Sequence, residues 1–108
     1  MTGRTLGPLD DHFTLINRLK RARGEERAAI AAAMVQMSKA VAAHWRIDYP
    51  GESLPQHPGF ERVVIEQGKR RDWAAVIAAA ALAKAEGWAG DWDRRIAWAA
   101  RRVPRETE

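Results

Sequence analysis

Three histidines, His12, His44 and His57, are the side chains best suited to proton transfer or metal binding, and no two of them stand three or four positions apart. A helical metal-binding pair, which needs both ligands on one face, is therefore missing from the pattern. His57 shares a proline-rich stretch with Asp48, Glu52 and Ser53, the residue types of a hydrolytic constellation. Nothing in their spacing fixes a geometry. His44, at the edge of an apolar face, reads as a core residue. Asp72, Asp91 and Asp93 each fall near a helix start, where capping accounts for them without acid–base chemistry. The chain has no cysteine, so thiol nucleophiles, disulfides and cysteine-held metals are excluded. Gly87-Trp88-Ala89-Gly90 lacks the preceding strand and the following lysine of a phosphate-binding loop. The expectation is a protein that is not an enzyme, with no catalytic residue, cofactor or metal.

The residues that could make contacts rather than bonds lie near the C-terminus. With Trp92 set at zero on a helical wheel, Ile96, Ala99 and Val103 fall within about 40° of it, whereas Trp98 falls near 240°. That sector also holds Arg94, Arg95, Arg101 and Arg102. A tryptophan flanked by four arginines could stack a base or receive an acidic peptide. It could equally pack against the first helix or a second subunit, with arginine stems over its ring. If the four arginines met phosphates, log affinity would fall with log salt at a slope of about −3 to −4. That reading also requires the last helix to share one face with Arg18, Arg21 and Arg23, uninterrupted by acids.

The elements that must position these residues are helical. Apolar residues recur at helical spacing, alanine is abundant and β-branched residues are few. The pattern predicts helices over about 10–23, 25–45, 60–67, 72–86 and 91–103, with one long loop over 46–59. In the second, Ile30, Met34, Met37, Val41, His44 and Trp45 share one arc. The loop carries three prolines and two glycines, and Leu54 and Tyr49 are expected to pin it to the helices. Gly68 is expected to close the fourth segment, Asp72 and Asp91 to cap the last two, and Gly87 to end the fifth. Residues 105–108 are expected to be disordered. Trp73, Trp88 and Trp92 read as core or corner anchors.

At 108 residues the chain fits one domain, which buries about two-thirds of its unfolded surface. The N-terminus has no apolar secretory segment, and the longest uncharged apolar run, Trp73 to Ala83, is about half of what a membrane-spanning helix needs. A cytoplasmic location is the expectation. The net charge of +4 admits nucleic acid or an acidic protein, but 14 acidic residues are interspersed with the basic ones. The Arg and Ala bias also suits a bacterial genome rich in G and C.

Two stretches carry a resemblance. Gly24-Glu25-Glu26-Arg27-Ala28-Ala29-Ile30 keeps the glycine, alanine and aliphatic residue of a tetratricopeptide hairpin but has glutamate in place of the aromatic. Arg71-Asp72-Trp73-Ala74-Ala75-Val76-Ile77 keeps the aromatic and the aliphatic residue, with the glycine displaced to Gly68 and valine in place of alanine. The chain thus resembles tetratricopeptide-like helical repeat proteins. Gly59 to Arg95, with Gln67-Gly68, Trp73 to Ile77 and the closing Gly87-Trp88-Ala89-Gly90-Asp91-Trp92, also looks like a segment of small bacterial proteins of unknown function. The resemblance implies an all-α fold of two degenerate tetratricopeptide-like helical hairpins plus a capping C-terminal helix. It implies a scaffold-type module whose partner is another protein, and it brings no catalytic residues. A basic nucleic-acid-binding accessory protein using the Arg/Trp face of the last helix is the alternative. A homodimer that hides an open repeat face fits either reading.

Overall fold

The computed structural model describes residues 7–103, so the expectation for 105–108 lies outside the described residues. Six helices form an all-α globule: α1 (Pro8–Arg21), α2 (Gly24–Gln36), α3 (Ser38–Asp48), α4 (Pro58–Lys69), α5 (Trp73–Glu86) and α6 (Trp92–Ala100). No strand occurs among the described residues; a lone bridge joins Gln56 to Ala89. No helix is long and apolar enough to cross a membrane.

Local chemistry sets most of the helix ends. Pro8 opens α1, and Asp10 and Asp11 place negative charge in its first turn. Asp72 caps α5 by accepting from the backbone N–H of Ala75 at 3.1 Å. Gly87 closes α5 in the left-handed conformation, φ 96°, and the N–H of Trp88 then reaches back to the carbonyl of Ala83 at 3.1 Å. Asp91 stands at the N-cap of α6 as expected, yet its carboxylate turns to Arg95 instead of to the backbone.

The expected single helix over 25–45 is broken. Met37, at φ −96° and ψ 2°, separates α2 from α3. No glycine or proline marks the place. Ser38 is buried there, and its hydroxyl donates to the carbonyl of Val35 at 2.7 Å, a local bond that bends helices. The bend serves packing. Ile30, Ala31 and Met34 of α2 join Leu19 and Ala22 in one apolar cluster, whereas Val41 and Ala42 of α3 join a second with Phe60, Val64, Trp73, Val76, Ala80 and Trp92. The bend falls between the buried residues of α2 and those of α3. As α3 runs on through Asp48 and α4 starts at Pro58, the loop shortens to 49–57. Leu54 pins it from within the core, while Tyr49 stays exposed and stacks on Trp45.

α4 also outruns its expected end. Gly68 lies inside the helix rather than closing it, and Arg71 takes the left-handed turn at φ 59°. The reversal at 70–72 makes α4 and α5 a hairpin, and the corner at 87–91 folds α6 back on α5. Trp73, Trp88 and Trp92 are all buried, as framework residues should be. Trp92 donates its indole N–H to the carbonyl of Trp88 at 2.8 Å, and Trp88 donates its own to Glu86 at 2.9 Å.

Candidate partner-binding groove

α6 rests on α5 and leaves a trough between itself and α4. This groove, of about 670 Å³, is walled by Ile65, Gly68 and Lys69 from α4 and by Arg94, Arg95 and Trp98 from α6, with Arg101 at its end. A wider hollow of about 870 Å³ adjoins it on the α1 side and shares Ile65, Asp91 and Arg95 with it. Ile65 and Trp98 are each 36% exposed, so the groove presents apolar surface to water.

Trp98 is seated rather than free. Its ring meets Trp73 edge-on at 5.1 Å between centroids, and its outer edge lies beside Gly68 of α4. A methyl group at Gly68 would lie 3.6 Å from the Trp98 ring. The support therefore comes from the turn between α4 and α5, not from the first helix. Arg102 covers one face of the ring, its guanidinium 4.1 Å from the centroid and bonded to the Trp98 carbonyl at 2.8 Å.

The last helix ends at Ala100 rather than near 103, so Arg94 and Arg95 lie on α6 and Arg101 and Arg102 in the turn after it, and the four divide into two kinds. Arg95 is consumed by acids, with Glu61 of α4 at 2.5 Å and Asp91 at 3.1 Å. Arg102 is consumed by Trp98. Arg94, its side chain 86% exposed and 3.8 Å from Asp91, and the exposed Arg101 keep their charge open to solvent. Lys69 joins them from α4, 63% exposed and 3.9 Å from Glu66. Sequence spacing within one helix could not reveal Lys69. Acids also enter the basic surface: Glu61 and Asp91 share the adjoining hollow with Lys20, Arg27, Arg62 and Arg95, and Arg18, Arg21 and Arg23 do not line it.

Comparison with protein-family models, curated proteins and solved structures finds no match. The tetratricopeptide likeness therefore rests on the residues that carry it.

The histidines behave differently from expectation. His44 is exposed on α3 instead of lying in the core, where Ser38, Val41 and Ala42 are the buried residues of that helix. His57 is fully buried, and its Nδ1 accepts from the N–H of Phe60 at 3.0 Å as the cap of α4. Asp48, Glu52 and Ser53 are exposed, and none of them bonds His57, so no hydrolytic constellation forms. What the fold does bring together is His12 of α1 and His57, with ring centroids 4.9 Å apart. Burial lowers the pKa of both from 6.5; for His57, with His12 adding to the effect, it falls to about 3. No group of three or more histidine, aspartate or glutamate side chains placed to hold a metal occurs among the described residues.

Proposed function

We propose that this is a small protein-interaction module of degenerate tetratricopeptide-like hairpins that takes an acidic segment of another protein into the groove between α4 and α6. The observation that carries the reading is Trp98: an aromatic side chain braced by Trp73, yet 36% exposed, beside the exposed cations Arg94, Arg101 and Lys69. A rigid, half-exposed tryptophan is the usual anchor of a binding surface, because it offers large contact area at little entropic cost. The hairpin of α4 and α5 followed by α6 is the second element of support. It lines one face with alternate helices and keeps α5 behind them, which suits a repeat-type groove.

Charge chooses between a peptide and a nucleic acid. Asp91 lies in the groove and Glu61 just beyond it, where a phosphate backbone would meet like charge. A peptide with one or two acidic residues beside an apolar side chain avoids them and still pairs with Lys69, Arg94 and Arg101.

The test starts with affinity purification from the native cell under nuclease treatment, followed by titration of an acidic segment of the recovered protein. Trp98→Ala should weaken that segment by about 30-fold or more, as loss of a hot-spot tryptophan does. Arg94→Glu with Arg101→Glu should weaken it further as salt is lowered. Binding indifferent to both variants sinks the proposal, and recovery that depends on nucleic acid favours the alternative.

A further inference from the structure

Two buried rings take no part in the groove. His12 and His57 lie in a box walled by Trp88, 5.8 Å and 4.6 Å away between centroids, and by Phe60 at 4.8 Å from His57. They join three elements that are distant in sequence: the first half of α1, the end of the 49–57 loop and the corner between α5 and α6. We infer that His12 and His57 form one acid-sensitive latch, closed while both rings are neutral, which holds α1 and the loop onto the Trp88 corner and releases them when either ring takes up a proton.

The hydrogen bonds dictate the direction. Because His57 Nδ1 accepts from Phe60, its proton sits on Nε2, which is buried without a partner. His12 Nδ1, on the neighbouring ring, is likewise buried and unpartnered. Neither nitrogen has a hydrogen-bond partner in the box, so it offers nothing to stabilise an added charge. A proton added to His57 must go to Nδ1, where it points at the Phe60 N–H and uncaps α4. A proton added to His12 puts a cation beside the Nε2–H of His57 in an enclosed aromatic box.

Among the described residues no charged neighbour compensates. On α1, Asp10 accepts from the Gly7 N–H and Asp11 is exposed. On α4, Glu61 is held by Arg95, and at the corner Glu86 is held by Trp88 and Asp91 by Arg95. On α3, Arg46 donates to the carbonyl of Glu86, while Lys39, His44 and Asp48 are exposed. On α2, Arg27 pairs with Glu66, and Glu25 and Glu26 are exposed. Lys84 of α5 pairs with Asp93 of α6.

Hydrogen exchange on the intact chain, corrected for the intrinsic pH dependence of exchange, tests the latch. Between about pH 7.5 and about pH 5, protection over the first half of α1 and the 49–57 loop should fall by up to about 10-fold per pH unit below about 6.5 for each proton taken up, while the middle of α5 keeps its protection. The double variant His12→Phe, His57→Asn, in which Asn still caps α4 and neither residue titrates, should show little of this fall. Unchanged protection in the wild type, or an equal fall in the variant, overturns the latch. Nitrogen-15 spectra of wild-type histidines decide the matter should the variant fail to fold. A neutral Nε2–H tautomer at His57 is expected, and a ring that titrates near pH 6.5 without any loss of protection would overturn the inference.

Discussion

The ring of Trp98 stands edge-on to that of Trp73, 84° between their planes and 5.1 Å between their centroids. This one contact ties the last helix to the turn that begins α5, and it gives a surface residue the rigidity of a core residue. Trp73 is 8% exposed and Trp98 is 36% exposed, so the pair grades from core to groove. The two tryptophans therefore should not be equivalent under mutation.

Trp73→Ala should cost about 3–5 kcal/mol, the usual range for a buried aromatic residue. Trp98→Ala should cost less, about 2 kcal/mol, because a third of its surface already meets water. The double variant should lose less than the sum, by about 0.5–1.5 kcal/mol, since the edge contact is counted in both single variants. Denaturant unfolding measures all three. Strict additivity would mean that the rings touch without mutual stabilisation.

Gly87 has a comparable burden on the backbone. At φ 96° it occupies a region that costs a side-chain-bearing residue about 1–3 kcal/mol, and a methyl group there would approach Arg46 Nη2 at 2.9 Å. The guanidinium is a flexible tip and can move away, so backbone strain supplies most of the penalty. Gly87→Ala should lower the thermal midpoint by about 4–8 °C per kcal/mol lost. A shift of about 1 °C or less would remove Gly87 from its role in closing α5.

How much of this was legible in the sequence follows from how local each cause is. Asp72, Gly87 and Asp91 announce their helix ends because a cap acts within one turn, and the structure keeps all three in place. The bend at Met37 carries no such sign, since no glycine or proline stands there and only the Ser38 hydroxyl bond to the Val35 carbonyl marks it. Gly68 was misleading too: its type suggests a stop, but α4 runs through it to Lys69 and Arg71 takes the left-handed turn instead. Of the five residues expected to bind a partner, Trp98, Arg94 and Arg101 line the groove with open surface, whereas Arg95 and Arg102 are engaged by Glu61 and by the Trp98 ring. Helical spacing could put the arginines in one sector; it could not count the acids arriving from α4.

Arg95 and Glu61 offer a direct measure of that cross-helix term. Their side chains are 26% and 27% exposed, so solvent screens the pair less than at an open surface but does not leave it. A double-mutant cycle with Arg95→Met and Glu61→Gln should give a coupling of about 1 kcal/mol, shrinking as salt is raised. Zero coupling at low salt would show that Asp91 alone holds Arg95.

Stability should also depend on pH in a window set by His12 and His57. Both are held neutral by burial, with pKa values lowered from 6.5 and that of His57 brought to about 3, while the unfolded chain protonates them near the ordinary value. The unfolded state therefore binds more protons below about pH 6.5, and stability, complete above that pH, is lost as the pH falls. Each histidine contributes a slope of up to about 1.4 kcal/mol per pH unit, which for His57 persists until the pH nears its folded value. Urea unfolding at half-unit steps should show the decline in wild type and a shallower one in His57→Asn. A flat profile through that window would mean that the two rings find a proton acceptor or water that relieves their burial.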